Sequence, residues 1–211
     1  MQSFYQPSLK AVSRRQDEQK TLDNLRFIRE QTGAEIHADL VAGLPYSTYD
    51  TFSRDFDKLM AVRPQELQLG ILKRLRGAPI DRHSQVCAMV YSKYPPYEIM
   101  QNKDMSYAEL QRIKRIARYL DIFYNSGNFP HTGELLLGAQ ASCFAAMDDF
   151  SRFIWENYQQ THKISIGRQT RILFEYLQKY YPLQEIATAL LADYDGKGRK
   201  DNVCYLREIL K

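Results

Sequence analysis

The sequence has few cysteines, and none at a useful spacing. Cys87, Cys143 and Cys204 are far apart. No two of them have the spacing of a metal-ligand or redox pair. An odd, dispersed set of this kind fits a reducing cytoplasm. Long apolar runs are absent too: nothing approaches the roughly 20 residues needed to span a membrane. The N-terminal stretch Met-Gln-Ser-Phe-Tyr-Gln-Pro has no basic segment followed by an apolar one, so no secretory signal is visible. Nor is there a charge block. The 29 Lys and Arg against 25 Asp and Glu leave a net charge of +4, spread along the chain. Nucleic-acid binding needs a clustered basic stripe, which is missing. No Gly-rich loop follows a first strand, which argues against a methyltransferase of the ordinary dinucleotide-fold kind.

What is present is an ordinary globular composition. The 211 residues are 44% hydrophobic and 26% charged, enough for one large domain or two small ones with a real core. Tyrosine is the one biased residue, with 15 copies. They spread over several helical stretches and form no repeat, and with the phenylalanines of residues 106–181 they read as core rather than as a stacking platform.

The informative stretch is Glu35-Ile-His-Ala-Asp-Leu-Val-Ala-Gly-Leu-Pro-Tyr-Ser-Thr48. It reads as a strand over 36–41, a Gly-Leu-Pro turn, and a helix capped by Ser47 or Thr48. Alternation puts His37, Asp39 and Val41 on one face and Ile36, Ala38 and Leu40 on the other. A carboxylate inside a buried apolar strand is costly unless something pairs with it, so Asp39 stands out. Upstream, Pro7 fits the first turn of a short helix with Leu9 and Val12 on its apolar side. Arg14 and Arg15 then sit at the negative end of its dipole. Asp17 opens a longer helix that Gly33 closes. Downstream, Phe52, Phe56, Leu59 and Met60 make the core side of the next helix, and a second strand covers 67–72. Its exit, Lys73-Arg-Leu-Arg-Gly77, carries three cations. Strand, helix, strand is the rhythm of a parallel sheet.

At about residue 78 the pattern changes. Residues 91–100 hold short extended pieces, and Ser106 caps a long helix ending at Asn125-Ser-Gly-Asn128. Further helices are expected near 132–159, 166–181 and 183–193, then a mobile Asp195–Arg199 segment and a short helix over 202–210. The fold class is therefore α/β plus α, with domains at 1–78 and 79–211.

Several motifs in order carry a resemblance: Gln2-Ser-Phe4, Arg14-Arg-Gln-Asp17, His37-Ala-Asp-Leu-Val-Ala-Gly-Leu-Pro45, Arg63-Pro-Gln-Glu-Leu-Gln-Leu-Gly70, Pro95-Pro-Tyr-Glu98 and Phe123-Tyr-Asn-Ser-Gly127. Together they resemble the second half of a radical S-adenosylmethionine (SAM) barrel. The branch is that of oxygen-independent coproporphyrinogen oxidase-like enzymes and of cobalamin-binding radical SAM proteins with an uncharacterised C-terminal helical domain. The resemblance implies a partial (β/α) barrel followed by that helical domain. It implies that Gln2, Arg14 and Asp39 contact SAM: Asp39 at ribose hydroxyls or the amine, Arg14 at the carboxylate, Gln2 as an added polar contact. The family's reaction uses a [4Fe–4S] cluster on a Cys-x-x-x-Cys-x-x-Cys triplet, which this sequence lacks.

The expectation is thus a portion of a radical SAM enzyme, inactive alone, in which neither SAM, the cluster nor cobalamin is held tightly by this chain. Its substrate is unknown, and neither nucleic acid nor membrane is an expected partner. A second copy would cover the open barrel edge. His37 is expected to be a satisfied structural residue and Lys73 a solvated one. The alternative is a non-catalytic interaction or scaffold module.

Overall fold

The computed structural model describes residues 2–77, 79–199 and 203–211. The chain is mainly helical with a few short strands. It divides into two compact units, Met1–Ala117 and Arg118–Lys211.

The first unit opens with α1 (Gln6–Ala11), with Pro7 in its first turn and Tyr5 as N-cap. Helix α2 (Glu18–Gln31) follows, capped by Asp17, whose side chain accepts from the Lys20 N–H. It ends at Thr32 in extended backbone, so Gly33 is not the left-handed stop the sequence led us to expect. Strand β1 (His37–Ala42) pairs in parallel with β2 (Glu66–Ile71), in the register His37↔Glu66, Asp39↔Gln68, Val41↔Gly70. Between them runs α3 (Tyr49–Met60). Thr48 caps it in a reciprocal box with Thr51. Phe52, Phe56, Leu59 and Met60 are buried together with Ala38, Leu40, Ala42 and Leu67. The alternation read from the sequence therefore holds along β1, one face packed and the other open.

The pattern change at residue 78 lies inside this unit. A 3₁₀ turn (Pro79–His83), the antiparallel pair β3 (Val90–Tyr91) and β4 (Ile99–Gln101), and the start of α4 (Tyr107–Leu120) all belong to it. Local bonds explain why. Leu72 at the exit of β2 accepts from the Ile99 N–H at 2.8 Å, and Lys73 bridges to Glu98. The Asn102 amide donates to the Gly43 carbonyl at 3.0 Å. Gly43 has φ +85°, and a Cβ there would lie 2.5 Å from Ile99 Cγ2. The Gly-Leu-Pro turn is thus gripped by the segment after residue 78.

The second unit begins with the end of α4 and a π-helical turn (Asp121–Asn125). Five further helices follow: α5 (Pro130–Gly138), α6 (Cys143–Tyr158), α7 (Ile166–Leu177), α8 (Leu183–Asp195) and α9 (Cys204–Ile209). The single helix expected over 132–159 is two. Ser142, in extended backbone, accepts from the Ala145 N–H and starts a new one. Helix α5 has no side-chain cap of its own. Instead the buried Asp193 of α8 accepts from the His131 and Thr132 N–H groups, each at 2.8 Å. That supplies an anion at the positive helix end. The segment expected to be mobile is held as far as Arg199, whose guanidinium donates to Asn128 and lies over the Phe129 ring. The first two residues of the expected last helix fall partly outside the described residues, since Asn202 is not among them.

Candidate functional site

Parallel sheets place ligands beyond the C-terminal ends of their strands. In the first unit a cavity of about 640 Å³ opens there, beside the exit of β2. That is within the range of roughly 300–1,000 Å³ common for small-molecule sites. Val41, Leu69, Ile71 and Leu72 give it an apolar wall. Gln2, Lys73 and the Glu98–Lys114 ion pair bring the polar groups. The site is built locally. The carbonyl of Gln2 accepts from the Val41 N–H at 2.9 Å, which lays the N-terminal segment along β1. The bridge between Lys73 and Glu98 sets the carboxylate within reach of Lys114 on α4.

Of the residues expected at a ligand, Gln2 lines this cavity, and Asp39 and Arg14 do not; Lys73, expected to be solvated, is exposed at its rim. Asp39 is exposed, in the middle of β1 on its open face. The argument from a buried carboxylate therefore does not apply, because that face of β1 is open here. His37 shares the face. Its Nδ1 lies 2.6 Å from Glu66, its register partner, and Nε2 lies 3.7 Å from Glu35. The Glu66 carboxyl is held below its ordinary value, first by the Gln68 amide and then by His37. These groups sit at the N-terminal ends of the strands, the structural end of a parallel sheet. His37 is satisfied, as expected, although at the surface rather than inside. Arg14 is exposed and follows α1 rather than ending it. The Ala11 carbonyl in the last turn of α1 is met instead by Arg82 Nη2 at 2.9 Å and His83 Nε2 at 3.0 Å. The two residues fill the role that sequence gave to Arg14.

A family model described as a protein of unknown function (DUF4080) matches residues 87–211. The chain belongs to this family. No curated protein matches it. The DUF4080 segment starts within the first unit and takes in β3, β4, α4 and the whole second unit. At the cavity it contributes Glu98, Lys114 and Ala117, while Gln2, Val41, β2 and Lys73 come from before it.

Besides Glu98 and Lys114, sequence reasoning missed two buried residues behind the cavity. Asp55 is buried on α3 and accepts from Ser3 Oγ at 2.6 Å and the Phe4 N–H at 2.8 Å. Asn102 is buried and ties three backbone groups: the Gly43 carbonyl and the Asp104 and Met105 N–H groups. Neither spacing nor periodicity marks them, since one Asp among many on a helix is unremarkable. A residue before a capping run, as Asn102 is before Ser106, was the one available signal.

Among the described residues no three His, Cys, Asp or Glu side chains converge to hold a metal ion. Cys87 is buried and Cys204 exposed. Among the described residues the side chains present do not fit a [4Fe–4S] cluster. Also among the described residues, no helix is long and apolar enough to cross a membrane.

Proposed function

We propose that the first unit of this DUF4080 chain is part of the SAM-facing side of a radical SAM barrel, and that the second unit serves its substrate or partner side. The observation that carries the reading is the cavity at the C-terminal end of the parallel pair, lined by Gln2 and Lys73 with an apolar wall beside them. Two further features support it. Strand β1 has a polar, open face bearing Asp39, in register with Gln68. The Gly43 turn that follows is held by a buried amide, so the strand ends at a fixed place.

In this reading Gln2 offers its side-chain amide to a polar group of SAM, and Lys73 adds a cation at the rim. Asp39 accepts from ribose hydroxyls or the amine once the rest of the barrel covers its face. Arg14 contributes a cation for the carboxylate in the same complete setting. SAM supplies a radical precursor when bound beside a cluster. That cluster, and the cobalamin of the related proteins, would be held elsewhere than on these residues. The chain alone binds SAM weakly and is inactive, and its substrate is open. A second copy would cover the exposed face.

Photo-crosslinking with an azido analogue of SAM tests this. Labelling should be competed by SAM and should fall on peptides holding Gln2, Val41 or Lys73. Label confined to residues 118–211, or label that SAM does not displace, would overturn the reading.

A further inference from the structure

Asp55 is only 4% exposed, yet it lies on an otherwise apolar side of α3 among Phe52, Phe56 and Leu59. Burial pushes its carboxyl above the ordinary value despite the donors around it. A leucine would fill such a position more cheaply, so what the carboxylate holds is the question. It holds a stretch of backbone. Its Oδ2 accepts from Ser3 Oγ at 2.6 Å and from the Phe4 N–H at 2.8 Å. Ser3 Oγ accepts in turn from the Tyr5 N–H at 3.0 Å. Helix α1 has no side-chain cap at Tyr5, so this relay satisfies the donors that lead into it. One residue earlier the Gln2 carbonyl is fixed by the Val41 N–H at 2.9 Å. Gln2 is therefore clamped from both sides, by β1 at its own carbonyl and by Asp55 through its successors. Its side chain is left to line the cavity.

From this we infer that Asp55 is a positioning residue for the cavity: it latches Ser3 and Phe4 and so fixes Gln2 against β1 at the exit of β2. The latch stands on geometry alone; its use in ligand binding rests on the function proposed above. It acts from α3 without lining the cavity itself. Removing it frees the Gln2 carbonyl from Val41 and leaves the β1–β2 ladder intact.

Amide hydrogen exchange of the full chain, read residue by residue by NMR, tests the latch. The variants are Asp55→Asn and Ser3→Ala, the second retaining the carboxylate in case the first does not fold. The expected result is faster exchange, by about tenfold or more, at the Val41 amide in either variant and at the Phe4 amide in Asp55→Asn. Protection at the Glu66 and Leu72 amides of the ladder should be unchanged, as for a local opening. Unchanged exchange at Val41, or equal loss across the ladder, would overturn the inference. A second arm labels the same proteins with the azido analogue of SAM. If the native chain labels at Gln2, the variants should lose that label at least tenfold while Gln2→Ala combined with Asp55→Asn loses no more than Gln2→Ala alone. If the native chain does not label there, the SAM reading fails, and the exchange arm still decides the latch.

Discussion

Around β1 and β2 the chain mixes aliphatic side chains with the rings of Phe4, Phe52 and Phe56 in its core, and ties its loops with buried polar groups, Asp55 and Asn102. From Arg118 onward a cluster of touching rings stands among the aliphatic side chains. Phe150 lies 4.9 Å from Phe123 edge-on and 4.9 Å from Tyr176, and Phe153 stands 5.4 Å from Tyr176. The difference is one of job. Rings add area without directing a backbone, which suits helices that need only pack. A short parallel pair has bare edges and irregular connections, and each carbonyl or N–H in a turn must find a partner. Both units fix backbone with a buried carboxylate, Asp55 on Ser3 and Phe4 in the first and Asp193 on His131 and Thr132 in the second; in the first that tie leads to Gln2 at the cavity beside β2.

The largest expected break is in the ring cluster. Phe150 is fully buried. Phe150→Ala should destabilise the second unit by about 3–5 kcal/mol, the usual range for deleting a buried aromatic ring. Urea unfolding followed by the fluorescence of Trp155, the one tryptophan in the sequence and a residue of α6, reads this unit. An effect under about 1 kcal/mol, the range of volume-conserving swaps, would mean the rings are interchangeable filling.

A smaller break is expected at the Gly43 turn. Gly43→Ala puts a methyl 2.5 Å from Ile99 Cγ2 at φ +85°. The strained backbone and the overlap together should cost about 2–3 kcal/mol. Exchange at the β1–β2 amides should report it, while Trp155 fluorescence tests whether the second unit notices. Loss of similar size in Asn102→Ala would place the strain in the grip rather than in the turn itself.

How much of this contrast was legible beforehand depends on what each feature obeys. Strand β1, its faces, its parallel partner and the core side of α3 follow from periodicities of two and about 3.6 residues, which sequence displays directly. A cap at Ser47 or Thr48 was legible for the same local reason, and Thr48 is the one that forms it. The misplaced features depend on distant partners. Whether Asp39 is buried is decided by what covers the sheet face, not by its neighbours in sequence. Arg14 looked like the cation at the end of α1, but Arg82 and His83 arrive from a turn some seventy residues later to bond Ala11. The helix expected over 132–159 is broken by a Ser142 cap whose signal is weaker than the apolar spacing that runs through it. Asp55 and Asp193 were illegible because nothing local distinguishes a buried carboxylate on a helix from an exposed one. Of the residues expected at a ligand only Gln2 lines the cavity, and Glu98 and Lys114, which bring its ion pair, were not singled out from the sequence.

The smallest effect expected is a divergence between the units in acid. Asp55 has its carboxyl raised above 3.8 by burial, against the donors Ser3 and Phe4 and the nearby Lys58 ammonium. A raised folded value means that its contribution to stability is fully present below 3.8 and is lost as pH rises through the folded value. Asp149 is the reverse. Burial works to raise it, but Arg152, Tyr180 and Tyr176 donate to it and hold it below 3.8. Its contribution is present above 3.8 and is lost as pH falls through its folded value. Acidification from neutral should therefore stabilise the first unit through Asp55 while the second later loses what Asp149 gives. The Asp149 part is modest, because Arg152 is solvent-screened at the surface. Subtracting Asp55→Asn and Asp149→Asn from the native chain isolates each term against the other acids. Ladder-amide protection reports the first unit and Trp155 fluorescence the second. If the two differences ran parallel with pH, the two carboxylates would answer to burial alike, and the contrast between the buried Asp55 and the half-buried, ring-bonded Asp149 would fail.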